Sequence, residues 1–162
     1  MEIGAWTNGD NYSGRIVRLS NAFVFRGPVY NYSTDFPFVW DEINLPVHYG
    51  SDVQIANQIL FDAAVEILGD YPEQAKKHWE VMVRKYLIEN AIVEPTVGVK
   101  LTDNWIEFNL RYVVAYEKRR TTRTKLFLQI LEAVNNTQGK VALASATFEV
   151  VDMPDMQVKL KE

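Results

Sequence analysis

The sequence predicts an α+β protein, and three observations carry that prediction. Apolar and polar residues alternate around 38–47 and again around 106–116. Apolar residues recur at three and four positions around 56–68 and 127–134. Residues 1–40 break into short apolar runs separated by turn residues. A period of two marks a strand with one buried face, and a period near 3.6 marks a helix with one buried stripe.

The first segment reads as short β pieces. Asn8-Gly9 is a tight-turn dipeptide, Gly14 opens the next apolar alternation, and Gly27-Pro28 separates two strands. A few short strands cannot close a core alone, so residues 1–36 are expected to be a partial β module that leans on the following domain or on neighbouring subunits. Thr34 to Pro37 forms the joint.

From Phe38 the pattern sharpens. Val39, Ile43, Leu45 and Val47 fall mainly on one face of a strand, with Trp40, Glu42 and Asn44 on the other, and Pro46 favours an edge position. Ser51-Asp52-Val53-Gln54 offers a capping box for a helix carrying Ala56, Ile59, Leu60, Ala63, Ala64, Ile67 and Leu68, which Gly69 stops. A second helical pattern follows Pro72, over about 73–90, with Trp79, Met82, Val83, Tyr86 and Leu87 in one stripe before Glu94-Pro95. Val97, Val99 and Leu101 alternate in the next strand. Thr102-Asp103-Asn104 turns into a further strand with Ile106, Phe108, Leu110, Tyr112, Val114 and Tyr116 on one face. A helix from about Thr122 to Asn136 sets Phe127, Ile130, Leu131 and Val134 on one side, Gly139 ends it, and Val141 to Val150 supplies a last strand.

This order is the split βαβ arrangement of ferredoxin-like domains plus one inserted helix. It divides the chain into a partial β module (1–36), an α/β domain (37–151) and a C-terminal piece (152–162). In the last, Met156 to Lys161 alternates like a strand, and a frayed tail reads equally well.

Composition narrows the function classes. The 162 residues with 48% hydrophobic content support one core, or a small module joined to a medium one. A net charge of -4 and a pI near 5.3 argue against a nucleic-acid partner. The absence of cysteine removes disulfides, thiolate metal sites and thiol nucleophiles. No run of about 20 apolar residues is present to span a membrane, and mean hydropathy is -0.16. Residues 1–20 hold no apolar core behind a basic start, so no signal peptide is expected.

Catalytic chemistry finds no coherent set. His48 and His78 are isolated from each other and from other ligand types at short spacing. Asp41 and Glu42 are adjacent on a strand and so face opposite ways. Asp10 sits in turn chemistry, and no glycine-rich phosphate cradle precedes a helix. The expectation is a protein that is not an enzyme and holds no metal or cofactor. The run Lys118, Arg119, Arg120, Arg123 and Lys125 is the electrostatic anomaly, because the start of a helix disfavours cations by about 0.3–1 kcal/mol each. Either these residues form a solvated face paired with acids such as Glu117 and Glu132, or they attract anions.

One segment carries a family resemblance. Ile16-Val17-Arg18-Leu19, the turn Ser20-Asn21-Ala22, Phe23-Val24-Phe25 and Val29-Tyr30-Asn31-Tyr32-Ser33 follow each other within Gly14 to Ser33. This run resembles a signature of small-conductance mechanosensitive channels of the MscS type, with Ser20 standing where the family has proline. Looser agreement in element order extends from about Trp6 to the end. The resemblance implies a soluble domain of a channel subunit facing the cytoplasm from the bacterial inner membrane, a homoheptamer whose parent releases ions and osmolytes on hypo-osmotic shock. It implies a small Sm-like β module forming a ring under the pore, with Ile16, Leu19, Phe23, Phe25 and Val29 packing between strands or subunits and Asn21 holding the turn. It also implies an α/β domain walling a vestibule, where the basic run would bias solutes towards anions. The segment Tyr71 to Ile92 is longer than the family's connection. The alternative is a soluble ferredoxin-like RNA- or ligand-binding domain that uses the basic run with Trp105, Phe108, Tyr112 and Tyr116 as stacking platforms.

Overall fold

The computed structural model describes residues 37–87 and 90–145, together with Ala22, Phe25 and Arg26. Among these, the chain forms a three-stranded antiparallel sheet and three α-helices: β1 (Phe38–Val47), α1 (Val53–Leu68), α2 (Tyr71–Tyr86), β2 (Thr96–Leu101), β3 (Ile106–Ala115) and α3 (Arg119–Asn136). The sheet order is β1-β3-β2, with Ile43 opposite Leu110 and Val97 opposite Leu110 on the other side. The residues expected to be the partial β module and the 152–162 piece otherwise lie outside the described residues.

Alternation along β3 explains the layering. Ile106, Phe108, Leu110, Tyr112 and Val114 are buried on one face, where α1 contributes Ala56, Leu60, Ala63, Ala64 and Leu68 and α3 contributes Leu126, Ile130 and Val134. Full burial of one large apolar side chain stabilises by roughly 1.5–3 kcal/mol, so this face carries most of the packing. Among the described residues, the opposite face is covered at one end. There α2 sets Ala75, Trp79 and Met82 against Phe38, Val113 and Val93. Trp40 meets Trp79 edge to face at 4.9 Å and donates its indole N–H to the Ile92 carbonyl.

The outer edge of β1 is occupied at one end. His48 N donates to the Ala142 carbonyl and Ala144 N donates to the Pro46 carbonyl, both at 2.9 Å, which pairs Val47 with Leu143 antiparallel. Pro46 thus sits on a sheet edge of the three strands, its missing N–H directed away from β3.

Several expectations shift when packing decides. The α1 cap is Asp52: its carboxylate accepts from Gln54 N and Ile55 N, while Ser51 Oγ engages the backbone of Ala142. Helix α2 ends at Tyr86, short of residue 90, because Leu87 turns into the left-handed region at φ 52°. Tyr86 and Leu87 are exposed, and the stripe is Pro72, Ala75, Trp79 and Met82. In β2, Val99 and Leu101 are exposed because the strand lies at the sheet's other edge. Tyr116 leaves the strand for a short 3-10 turn and is exposed. Helix α3 begins three residues earlier than expected, and Leu126 replaces Phe127 and Leu131 on the buried stripe. Among the described residues no helix is long and apolar enough to cross a membrane.

Candidate functional site

The strongest concentration of charge below the surface is built around Asp41. Alternation places it on the same face of β1 as Ile43, Leu45 and Val47, under α3, and it is 4% exposed. A lone carboxylate there would cost several kcal/mol in lost hydration. Three donors offset that cost. Tyr112 Oη donates to Oδ2 at 2.8 Å, Arg119 Nε to Oδ1 at 2.9 Å, and Arg123 Nη2 to Oδ1 at 2.7 Å. Arg123 Nη2 also reaches the Glu42 carbonyl at 2.7 Å.

Local geometry explains the convergence. Residues four apart share a helix face, so Arg119 and Arg123 descend together from the first two turns of α3 onto one strand residue. Charge-assisted hydrogen bonds of about 1.5–3 kcal/mol each outweigh the unfavourable helix dipole of about 0.3–1 kcal/mol. The cation run at the helix start is therefore stabilised by a buried anion on another element. Burial, and then the hydrogen bond to the Asp41 carboxylate, raises the Tyr112 phenol well above its ordinary pKa.

The five cations of the sequence run do not form one patch. Arg119 and Arg123 point inward to Asp41, whereas Lys118, Arg120 and Lys125 are exposed. Glu117 bonds Tyr116. Asp41 is the acid that sequence reasoning missed. The available signal was its position in the 39, 41, 43, 45, 47 alternation, since a carboxylate on an apolar strand face requires donors.

A second polar array occupies the sheet face beyond α2. Asn109 donates to Asn44 at 2.7 Å and to Glu42 at 3.3 Å, and Arg111 pairs with Glu42 at 3.5 Å while lying 5.7 Å from the centre of the Trp40 ring. These groups are solvated and satisfy one another. Elsewhere, Lys76 bonds Glu94 at 2.6 Å and holds its carboxyl below the usual range.

The remaining candidates stay apart. His48 Nδ1 accepts from Gly50 N in a turn, and His78 Nδ1 lies 2.9 Å from the Gln74 carbonyl. His78 also borders an open hollow of about 360 Å³ with Lys77, Val81 and Met82, where no acid or nucleophile joins it among the named lining residues. Among the described residues no group of three His, Asp or Glu side chains is placed to hold a metal ion. Phe25 is 89% exposed, and Ile16, Leu19, Asn21, Phe23 and Val29 lie outside the described residues. No protein-family model matches this chain, and no curated protein sequence matches it.

Proposed function

We propose that this chain is the cytoplasmic part of a subunit of an MscS-like mechanosensitive channel. The single observation that carries the reading is the run Gly14 to Ser33, where strand, Asn-bearing turn, apolar strand and Asn-Tyr-Ser ending follow in the family's order. The described domain supports it. Sheet order β1-β3-β2, with residues 142–144 beside the outer edge of β1, agrees with a ferredoxin-like split βαβ domain, and on that reading α2 is its inserted helix.

On this reading the parent subunit assembles as a homoheptamer, opens under membrane tension after hypo-osmotic shock and passes ions and small osmolytes. Residues 1–36 belong to an Sm-like ring below the pore, in which Ile16, Leu19, Phe23, Phe25 and Val29 pack between strands or subunits. The exposure of Phe25 on a single chain is compatible with a partner covering it. The α/β domain walls the vestibule. Its bias towards anions is weaker than the basic run implies, because Arg119 and Arg123 are committed to Asp41 and only Lys118, Arg120 and Lys125 face outward.

The RNA-binding alternative loses two of its four stacking residues. Phe108 and Tyr112 are fully buried under α1 and α3, so they offer no ring face to a base.

An antibody raised to this chain and applied to fractionated cells of the source organism tests the proposal. The expected result is a band well above 18.7 kDa that needs detergent for extraction. A soluble band at the chain's own mass would overturn it.

A further inference from the structure

Helices α1 and α2 carry opposite charge on their outward faces. Helix α1 holds Asp62 and Glu66 and no basic residue, whereas α2 holds two more basic than acidic side chains. On α1, Asp62 and Glu66 lie four apart on an exposed stripe beside Phe61 and Val65, which are 42% and 51% exposed. Gln58 donates to Asp62 and Gln129 to Glu66, so amides rather than cations meet these carboxylates among the described residues. On α2, Lys77, Val81 and Arg84 follow one another at four and three on one exposed stripe. Among the described residues neither Lys77 nor Arg84 makes an ion pair. Val81 is 63% exposed and borders, with Lys77, the hollow of about 360 Å³.

These two faces cannot meet within one chain. Helix α1 packs on the sheet face of Ile43, Leu110 and Tyr112, and α2 packs on the opposite face, against Phe38 and Val113. Between two chains they match. An anionic stripe with projecting apolar side chains meets a cationic stripe with a hollow. Lys77 and Arg84 are about 10 Å apart along their helix and Asp62 and Glu66 about 6 Å along theirs, a difference that long basic side chains span. An anionic partner of another kind would match α2 and leave the acidic stripe of α1 unmatched. A second copy accounts for both.

We propose that the outward face of α2 docks on the outward face of α1 in a second copy of this chain. Lys77 and Arg84 meet Asp62 and Glu66, and Phe61 enters the hollow beside Val81. The contact is heterologous: each chain offers both faces, so repetition builds a ring where the rotation closes and an open chain where it does not. It draws on the two faces alone, and the heptamer of the channel reading is a separate claim. Because the charges are exposed, salt weakens the contact.

Two measurements on the full chain test this. The chain has no native cysteine, so Val65→Cys with Val81→Cys in one chain reports the contact. Mild oxidation is expected to give a ladder of multimers, and either cysteine alone to stay monomeric. Sedimentation reports the charges: the native chain is expected to associate at low salt and dissociate as salt rises. Lys77→Glu with Arg84→Glu, or Asp62→Lys with Glu66→Lys, is expected to raise the apparent dissociation constant at least about tenfold. All four reversals in one chain are expected to restore association, which a folding defect would not do. A monomer at every salt concentration, dimers from either cysteine alone, or a fourfold reversal that stays dissociated overturns the contact. So does loss from the α2 reversals alone, which would seat α2 on a different surface of its neighbour. None of these results bears on whether the parent needs detergent for extraction, so the channel reading stands or falls separately.

Discussion

Arg123 Nη2 lies 2.7 Å from Asp41 Oδ1, joining the second turn of α3 to the buried face of β1. Removing the carboxylate strands two cations against an apolar layer. Asp41→Ala is expected to destabilise the protein by about 3 kcal/mol, the low end for a buried pair because both guanidinia retain water access. Urea denaturation measures it, and a loss within experimental error would remove Asp41 from its role.

The exposed members of the same run behave differently. Replacing Lys118, Arg120 and Lys125 singly by Gln is expected to change stability by no more than about 0.5 kcal/mol each, whereas Arg123→Gln costs about 2 kcal/mol. Equal effects at all positions would contradict the division of the run into inward and outward groups.

Tyr112 adds a pH signature. Its phenol pKa is raised in the folded state, first by burial and then by the Asp41 hydrogen bond. The folded state therefore holds a proton that the unfolded chain releases near pH 10. The associated stability is complete below pH 10 and declines above it. Tyr112→Phe should flatten that alkaline decline and cost about 1–2 kcal/mol at pH 7. Phenolate absorbance should show one of the eight tyrosines ionising only with unfolding.

At the head of α1, Asp52 satisfies two backbone N–H groups that no helical carbonyl reaches. Asp52→Ala is expected to lose about 1 kcal/mol, and Ser51→Ala less, because the serine hydroxyl serves Ala142. Chemical denaturation of the two variants decides between cap positions one residue apart.

Trp79 anchors α2 through its ring against Trp40 and its indole N–H to Asn90. Trp79→Ala is expected to cost about 3 kcal/mol and to raise amide exchange across α2 while α1 and α3 stay protected. Uniform loss of protection would show that the two apolar clusters unfold as one.

Strands β1 and β3 were legible because their alternation is long and uninterrupted, and α1 because its three-and-four spacing ends at a glycine with φ 51°. Helix α3 was legible in existence but not in phase. Leu126, Phe127 and Leu128, followed by Ile130 and Leu131, allow more than one apolar stripe. What selects the observed one is tertiary: with Arg119 and Arg123 drawn down to Asp41, Leu126, Ile130 and Val134 continue along the same line. That choice depends on β1 lying beneath α3, which no local pattern states. The same holds at β2, whose alternating valines read as a buried strand until its place at a sheet edge leaves Val99 and Leu101 exposed. For the candidate site, the two arginines were legible as unusual and their acid was not.

Because α2 covers only one end of a sheet whose other face holds the larger core, its departure need not unfold the domain. Phe38, Trp40 and Val113 would then face water on an otherwise intact platform. Heating should therefore first yield a native-like species that self-associates, so the temperature of turbidity falls with protein concentration and precedes loss of the β-sheet signal.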